Sequence, residues 1–137
     1  MAGLAGNAFK RMCLEAGLNK EAQDQDQYMI LFKNDYTPAA DDILADYTEA
    51  KFSGYAQASI TGASWSVTTA EPAVASYAEQ EFISDDDQTP ETIYGYAIFL
   101  AMDDTFVGAE RFSSPQVIQN DLDQIAVTPR IRLYQKV

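Results

Sequence analysis

From Tyr28 to Tyr134 the sequence repeatedly alternates apolar and polar residues, and a turn signal interrupts this alternation about every ten residues. Side chains of a strand alternate between its two faces, so this pattern constrains the fold strongly. No long helical pattern intervenes, which disfavours a parallel α/β sheet. The pattern predicts an all-β domain, an antiparallel β-sandwich or jelly roll, over residues 28–137. The predicted strands are Tyr28–Lys33, Tyr55–Thr61, Ser64–Thr69, Val74–Ser84, Thr92–Met102, Thr105–Phe112 and Gln124–Tyr134.

Two of these segments indicate their own place in the fold. Thr92–Met102 is apolar on both faces. This predicts a central strand, covered by a second sheet on one side and by a neighbouring subunit or a helix on the other. Gln124–Tyr134 contains Pro129, which has no backbone N–H to donate. We therefore expect this strand to lie at a sheet edge or to carry a bulge at Pro129.

The first twenty residues follow a helical pattern instead. Apolar residues recur there at steps of three and four, which predicts an N-terminal helical arm over residues 1–20. Residues 21–27 are polar and patternless, and they predict a linker. The arm is net positive and the body after it is strongly negative, so we expect the arm to attach the protein to a partner. Packing of its apolar stripe on the chain's own body is the alternative. The contact candidates on the arm are Leu4, Phe9, Lys10, Arg11 and Met12.

The residue content excludes several kinds of chemistry. The chain of 137 residues has no histidine and one cysteine, Cys13. It therefore lacks the Ser-His-Asp and Cys-His nucleophile systems, an internal disulfide and a cysteine-built metal site. Glu79, Glu81 and Glu110 could in principle serve a glycosidase, but such carboxylates are far commoner on solvated strand faces. We expect no enzyme activity, no cofactor and no metal centre.

Aspartates cluster at three predicted turns. Calcium takes several carboxylate oxygens, and sandwich loops can gather them from separate turns. Aspartate is also common in turns because its side chain bonds nearby backbone, and the spacing here does not match an EF-hand loop. Plain turns are therefore the favoured interpretation. The aspartates concerned are Asp85, Asp86, Asp87, Asp103, Asp104, Asp121 and Asp123.

The formal net charge is −12, and its layout along the chain is uneven. Residues 21–110 hold eighteen carboxylates against two lysines, whereas both ends of the chain are net positive. An acidic body repels the phosphates of nucleic acids and the surfaces of anionic membranes, so we expect neither as a partner. No apolar run reaches the roughly eighteen residues of a membrane helix.

The stretch from Tyr36 to Tyr55 is rich in aromatic residues. Together with the doubly apolar Thr92–Met102, it supplies more apolar surface than one thin sandwich needs. Because tyrosine is also enriched at protein–protein contacts, this surplus predicts a homotrimer. The candidates for subunit contacts are Tyr36, Tyr47, Phe52 and Tyr55.

Three stretches of the chain resemble short structural proteins of tailed bacteriophages. They are LFKNDYTPAADDILADYTEAKFSGYAQASITGASWSV at Leu31–Val67, TIYGYAIFL at Thr92–Leu100 and AERFSSPQVIQNDLDQIAVTPRIRL at Ala109–Leu133. Within that group the chain is most similar to the capsid decoration, or cement, proteins. The resemblance implies a β-rich body, frequently trimeric, on the outer surface of an icosahedral head, where it binds the major capsid protein and stabilises the shell. It does not extend to the N-terminal helix.

Three other functions are compatible with the sequence. The protein could be a head-fibre, tail or baseplate component that binds a host receptor. It could also be an enzyme that degrades surface polysaccharide, or an assembly factor that is absent from the mature particle. The place of the protein in purified virions distinguishes a cement protein from these alternatives.

Overall fold

The computed structural model describes residues 3–11, 13, 25–62, 64–68 and 73–133. In these residues ten strands accompany a helical stretch at residues 7–11 and 13 and a 3-10 turn at Leu44–Asp46. The strands are β1 (Gly3–Ala5), β2 (Gln27–Phe32), β3 (Ala58–Ile60), β4 (Ser66–Val67), β5 (Ala73–Ser76), β6 (Gln80–Ile83), β7 (Glu91–Leu100), β8 (Phe106–Ile118), β9 (Gln124–Val127) and β10 (Arg130–Leu133). The predicted all-β fold with an N-terminal helix is confirmed.

Eight of the strands form one curled sheet in the order β3-β2-β7-β8-β1-β10-β5-β4. In a flat sheet the two outer strands would lie about 34 Å apart, since neighbouring strands are spaced about 4.8 Å. Only residues 61–65 connect β3 to β4, and they span at most about 21 Å. The sheet must therefore curl. Two side-chain hydrogen bonds link its edge regions: Trp65 Nε1 donates to Gln27 Oε1 at 2.9 Å, and the Thr61 amide donates to the Tyr77 hydroxyl at 3.1 Å.

The second sheet pairs β6 with β9 and continues the ladder in which β5 pairs with β10. The break between the two ladders falls at Pro129, which confirms the irregularity expected there. Pro129 cannot donate, but its carbonyl accepts a hydrogen bond from the Tyr77 amide at 3.0 Å. Beyond this break, Phe82, Ile125 and Val127 join the buried cluster of the curled sheet. The small sheet thus covers the inner face.

β7 is the central strand that the sequence predicted. It pairs with β2 on one edge and β8 on the other. Ile93 and Ile98 face the inner cluster, whereas Ala97 and Phe99 pack with Tyr47 in a second buried cluster on the outer face. Tyr47 belongs to residues 34–50. The outer cover is therefore a segment of the same chain, and the expected neighbouring subunit or helix is not what covers this face.

The N-terminal residues depart from their prediction. The helix expected over residues 1–20 begins only at residue 7, because Gly3–Ala5 form β1 instead. β1 lies between β8 and β10, and Leu4 pairs with Ala109 on one side and Arg132 on the other. Partners on both edges satisfy more of the backbone than a first helical turn does, and glycine disfavours the helix.

A glycine on the facing strand permits this close approach. A side chain at Gly108 would overlap the Leu4 carbonyl oxygen and lie 2.6 Å from Cδ1 of Ile131. The start of the predicted arm is thus part of the main sheet. Residues 14–24, which contain the rest of the predicted helix and the first part of the predicted linker, lie outside the described residues.

Candidate interaction surfaces

Residues 34–50, the covering segment, are held on the outer face of the sheet by a buried carboxylate. Asp42 is only 7% exposed. It accepts hydrogen bonds from the hydroxyls of Tyr36 at 2.5 Å and Tyr47 at 2.6 Å, and from the Ala39 amide at 2.8 Å. The Tyr47 ring in turn packs edge-on against Phe32 at 5.1 Å between centroids. One carboxylate therefore fixes both tyrosines that cover the sheet.

The two ends of the covering segment are also fixed. The Arg111 guanidinium, on β8, binds the Asp35 carboxylate at 2.5 Å and donates to the Tyr36 carbonyl at 3.0 Å. The Asn34 side chain donates to the Asp46 carbonyl at 3.0 Å and accepts from the Thr48 amide at 2.8 Å. Hydrogen bonds and an ion pair thus hold both ends of the covering segment in place on the sheet.

The four residues predicted to make subunit contacts lie in or beside the covering segment. Tyr47 and Phe52 are buried, and Tyr36 and Tyr55 are half-buried. The Tyr55 hydroxyl donates to Glu49 at 2.8 Å, and its ring lies between Phe52 and Phe82. Their aromatic surface therefore packs within the chain. The homotrimer stays a prediction, and the apolar surplus that suggested it is taken up by the chain's own sheet.

Of the seven tyrosines that the structure describes, five lie where ionisation of the phenol is disfavoured. The hydrogen bond to Asp42, followed by burial, raises the pKa of Tyr36 to about 12. Burial, followed by a hydrogen bond to a carboxylate, raises the pKa of Tyr28, Tyr47 and Tyr55. Burial also raises the pKa of Tyr96. These groups favour the folded state while they are protonated.

We expect these tyrosines to ionise only as the protein unfolds in alkali. Their unfolded pKa is about 10, so their stabilisation is present below that pH and lost as pH rises from about 10 through 12. Absorbance at 295 nm, recorded with circular dichroism, should show most tyrosines still protonated near pH 11 in the native protein. The same titration in guanidinium is the control. Complete ionisation near pH 10 with an unchanged native spectrum would contradict this.

The arm candidates divide into residues that face the body and residues that face solvent. Leu4 is half-buried in β1, and Phe9 packs against the inner buried cluster. Lys10 is half-buried, Arg11 is exposed, and Met12 lies outside the described residues. Leu4 and Phe9 thus follow the alternative interpretation, in which the apolar stripe packs on the chain's own body. A partner contact by Lys10 and Arg11 stays a prediction.

The clustered aspartates act as hydrogen-bond acceptors within turns. Asp123 accepts the amides of Asn120 at 2.8 Å and Gln119 at 2.9 Å, and these bonds hold its pKa below the usual range. Asp87 accepts the Asp121 amide at 2.8 Å. Among the residues that the structure describes, no three His, Cys, Asp or Glu side chains are placed to share a metal ion. The two bonds of Asp123 are of the kind that the turn interpretation predicts.

The three glutamates considered for catalysis are not brought into one site by any contact of the described residues. Glu79 and Glu81 are exposed beside and on β6. Glu110 is half-buried on β8, where burial raises the pKa of its carboxyl. It lines an open groove of about 600 Å³ between β8 and β9, together with Arg111, Phe112, Ile125, Val127 and Arg130.

Large apolar side chains are exposed at both ends of the β7–β8 hairpin, a feature that the alternating pattern did not predict. At the hairpin tip, Met102 is 70% exposed beside Asp103 and Asp104. At the opposite end, Leu122 is 71% exposed in the turn between β8 and β9. A leucine among turn formers, in the sequence NDLD, is the signal that could have identified it.

Neither the known protein families nor the curated proteins include a match to this chain. In the described part of the chain, no helix has the length and apolar character needed to span a membrane. The fold and its exposed surfaces therefore carry the functional interpretation, together with the resemblance of the three stretches.

Proposed function

We propose that the protein is a structural component of a tailed-bacteriophage virion: a capsid decoration protein that binds the outer surface of the assembled head and stabilises it. The observation that carries this proposal is the arrangement of the three stretches that resemble such proteins. Leu31–Val67 includes the covering segment, Thr92–Leu100 lies within β7, and Ala109–Leu133 runs from β8 to β10. The covering segment packs on β7, and β7 pairs with β8. The resembling stretches thus form one contiguous body.

The architecture suits a protein that binds through a rigid surface better than one that binds through flexible loops. Binding loses least affinity to ordering when the contact surface is already rigid. Here the covering segment is tied down through Asp42, Asn34 and Arg111, and the 119–123 turn through Asp123 and Asp87. Exposed apolar side chains therefore project from a fixed frame.

Shell stabilisation follows from selective binding. A ligand that binds the assembled lattice and not the loose subunit adds its binding free energy to the stability of the lattice. Modest contacts suffice when many copies bind, or when the binding unit is itself an oligomer. The partners in this proposal are the major capsid protein and further copies of this chain. The second partner follows from the resembling proteins, which are frequently trimeric.

A sedimentation experiment tests the proposal. Purified protein would be mixed with expanded heads of the phage that encodes it, and with its loose capsid subunits as the control. We expect the protein to pellet with the heads, to leave the loose subunits unbound and to raise the temperature at which heads rupture. Light scattering should give about three times the 15.1 kDa of one chain.

Other outcomes would favour the alternatives. Reconstructed density for this protein on the tail or baseplate would contradict the cement function and favour a receptor-binding component. Its absence from purified virions, measured by mass spectrometry, would favour an assembly factor. Hydrolysis of a surface polysaccharide by the purified protein would favour an enzyme.

A further inference from the structure

Leu122 combines two properties that rarely occur together in a bulky apolar residue. Its backbone is in the left-handed region, with φ of 69°, and its side chain is 71% exposed. Glycine or asparagine occupies such positions at lower cost, because a Cβ with a large side chain crowds the following carbonyl. Local folding alone would therefore not select leucine here. Such conflicts between sequence and local structure concentrate at functional sites.

The surrounding turn keeps this side chain pointing outward. The Leu122 amide donates to the carbonyl of the buried Ser84 at 2.9 Å, and the Ser84 amide donates to the Asp123 carbonyl at 2.8 Å. The Asp123 carboxylate accepts the amides of Gln119 and Asn120. These bonds involve the backbone on both sides of Leu122. The leucine is thus presented by a rigid turn.

The surroundings of Leu122 define the chemistry of a partner. Ile83, 41% exposed, precedes Ser84 directly, and Val117, 53% exposed, lies near the end of β8. The loops that form this end carry Asp85, Asp86, Asp87, Asp121 and Asp123. Residues 79–90 and 112–129 contain no lysine or arginine. The adjoining loop, whose Ser53 bonds Asp85 and Gln88, adds one exposed cation, Lys51, so this end carries five aspartates against one lysine. The surface is therefore an apolar knob with an acidic rim.

We propose that Leu122 is a docking knob that enters an apolar socket rimmed by lysine or arginine on the surface of the head shell. This inference rests on the proposed function and names the surface that performs it. A buried apolar anchor supplies most of the binding energy of such a contact, and the charged rim contributes mainly to association rate and specificity. The same rim disfavours contact between the Leu122 ends of two copies of the chain, since like-charged ends repel each other.

Asparagine at this position separates docking from folding. Leu122→Asn keeps a residue that tolerates the left-handed backbone, and Leu122→Gly removes the strain altogether. We expect both variants to melt at or above the temperature of the parent protein, and to bind expanded heads at least about tenfold more weakly. The matched control is Met102→Asn, an equally exposed apolar residue beside two aspartates. Met102 lies about 30 Å from Leu122 along β7, so the Met102→Asn variant should bind heads as tightly as the parent protein.

A second set of measurements tests whether lysine or arginine surrounds the socket on the shell. Asp121 is exposed, and its amide, not its carboxylate, makes the bond to Asp87. Asp121→Asn should leave the melting temperature unchanged and weaken the salt dependence of head binding. An unchanged salt dependence would contradict the inference that lysine or arginine surrounds the socket.

The outcomes separate this inference from the proposed function. If the parent protein binds heads and both Leu122 variants bind equally well, the docking knob is wrong and the cement function stands. If Met102→Asn loses as much affinity as Leu122→Asn, the contact is not specific to this end and the inference is overturned. Loss of the fold in both Leu122 variants would show that leucine serves the turn itself. If the parent protein does not bind heads, the proposed function fails and the inference fails with it.

Discussion

Removal of residues 1–6 is expected to unfold the protein, with a loss of most of a typical stability of about 5–15 kcal/mol. β1 is the only strand between β8 and β10 in the described sheet, so its removal divides the eight-stranded sheet in two. It also removes the buried Ala5 from the core and leaves two interior edges without partners. A separable arm would behave differently, because its removal would leave a folded oligomer that no longer binds particles. Thermal melts followed by circular dichroism, with light scattering for aggregation, distinguish these results.

A single substitution tests the position of β1 between β8 and β10 in the full-length chain. Gly108→Val places a side chain where the Leu4 carbonyl oxygen lies, so it should displace β1 and cause a comparable loss. Ala126→Val is the control, because Ala126 is exposed on β9 and valine favours strands. If the truncated protein melts within a few degrees of the parent, β1 is not a structural strand and the arm is separable after all.

Asp42→Ala is expected to destabilise the fold by about 2–4 kcal/mol, because it leaves the buried Tyr47 hydroxyl without its acceptor. It also releases the Tyr36 hydroxyl and the Ala39 amide, which the same carboxylate accepts. The covering segment should then open over the outer face of β7. Urea denaturation gives the change in the free energy of unfolding, and hydrogen exchange of β7 amides reports the opening.

The neighbouring residue, Asp41, provides the matched control for Asp42→Ala. Asp41→Ala removes an exposed carboxylate one residue away and should change stability by no more than about 0.5 kcal/mol. Tyr47→Phe keeps the ring among Phe32, Phe99 and Phe106 and removes only the hydroxyl, so its loss should fall between the two. Equal losses for Asp42→Ala and Asp41→Ala would mean that the buried carboxylate does not hold the covering segment.

The sequence predicted most closely the two strands that are apolar along most of their length. β2 matches Tyr28–Lys33 to within one residue, and β7 matches Thr92–Met102 to within two. The break at Pro129 and the two-sided burial of β7 were also predictable, because they depend on local chemistry. A proline lacks a donor wherever it lies, and a strand that is apolar on both faces needs two covers.

The candidate surfaces were only partly predictable. The aromatic segment from Tyr36 to Tyr55 was recognised as apolar surface that needs a partner, and its residues were predicted to contact another subunit. Composition shows that a ring needs burial and does not show which sheet buries it. The exposure of Leu122 was not predicted: the sequence NDLD marks a turn, but the bonds that join Leu122 and Asp123 to Ser84 connect residues far apart in the chain.

The sequence alone therefore determined the β class, the positions of β2 and β7 and the acidic character of the turns. These features depend on residues that are close in the chain, where side-chain periodicity and turn chemistry act. Only the tertiary structure decided that Gly3–Ala5 form a strand, that residues 34–50 cover their own sheet, and that the sheet curls until its edges approach. Each of these depends on partners far away in sequence, such as Ala109 and Arg132 for Leu4. Ladder hydrogen bonds and burial with such partners outweigh local helix propensity, which is worth less than about 1 kcal/mol per residue.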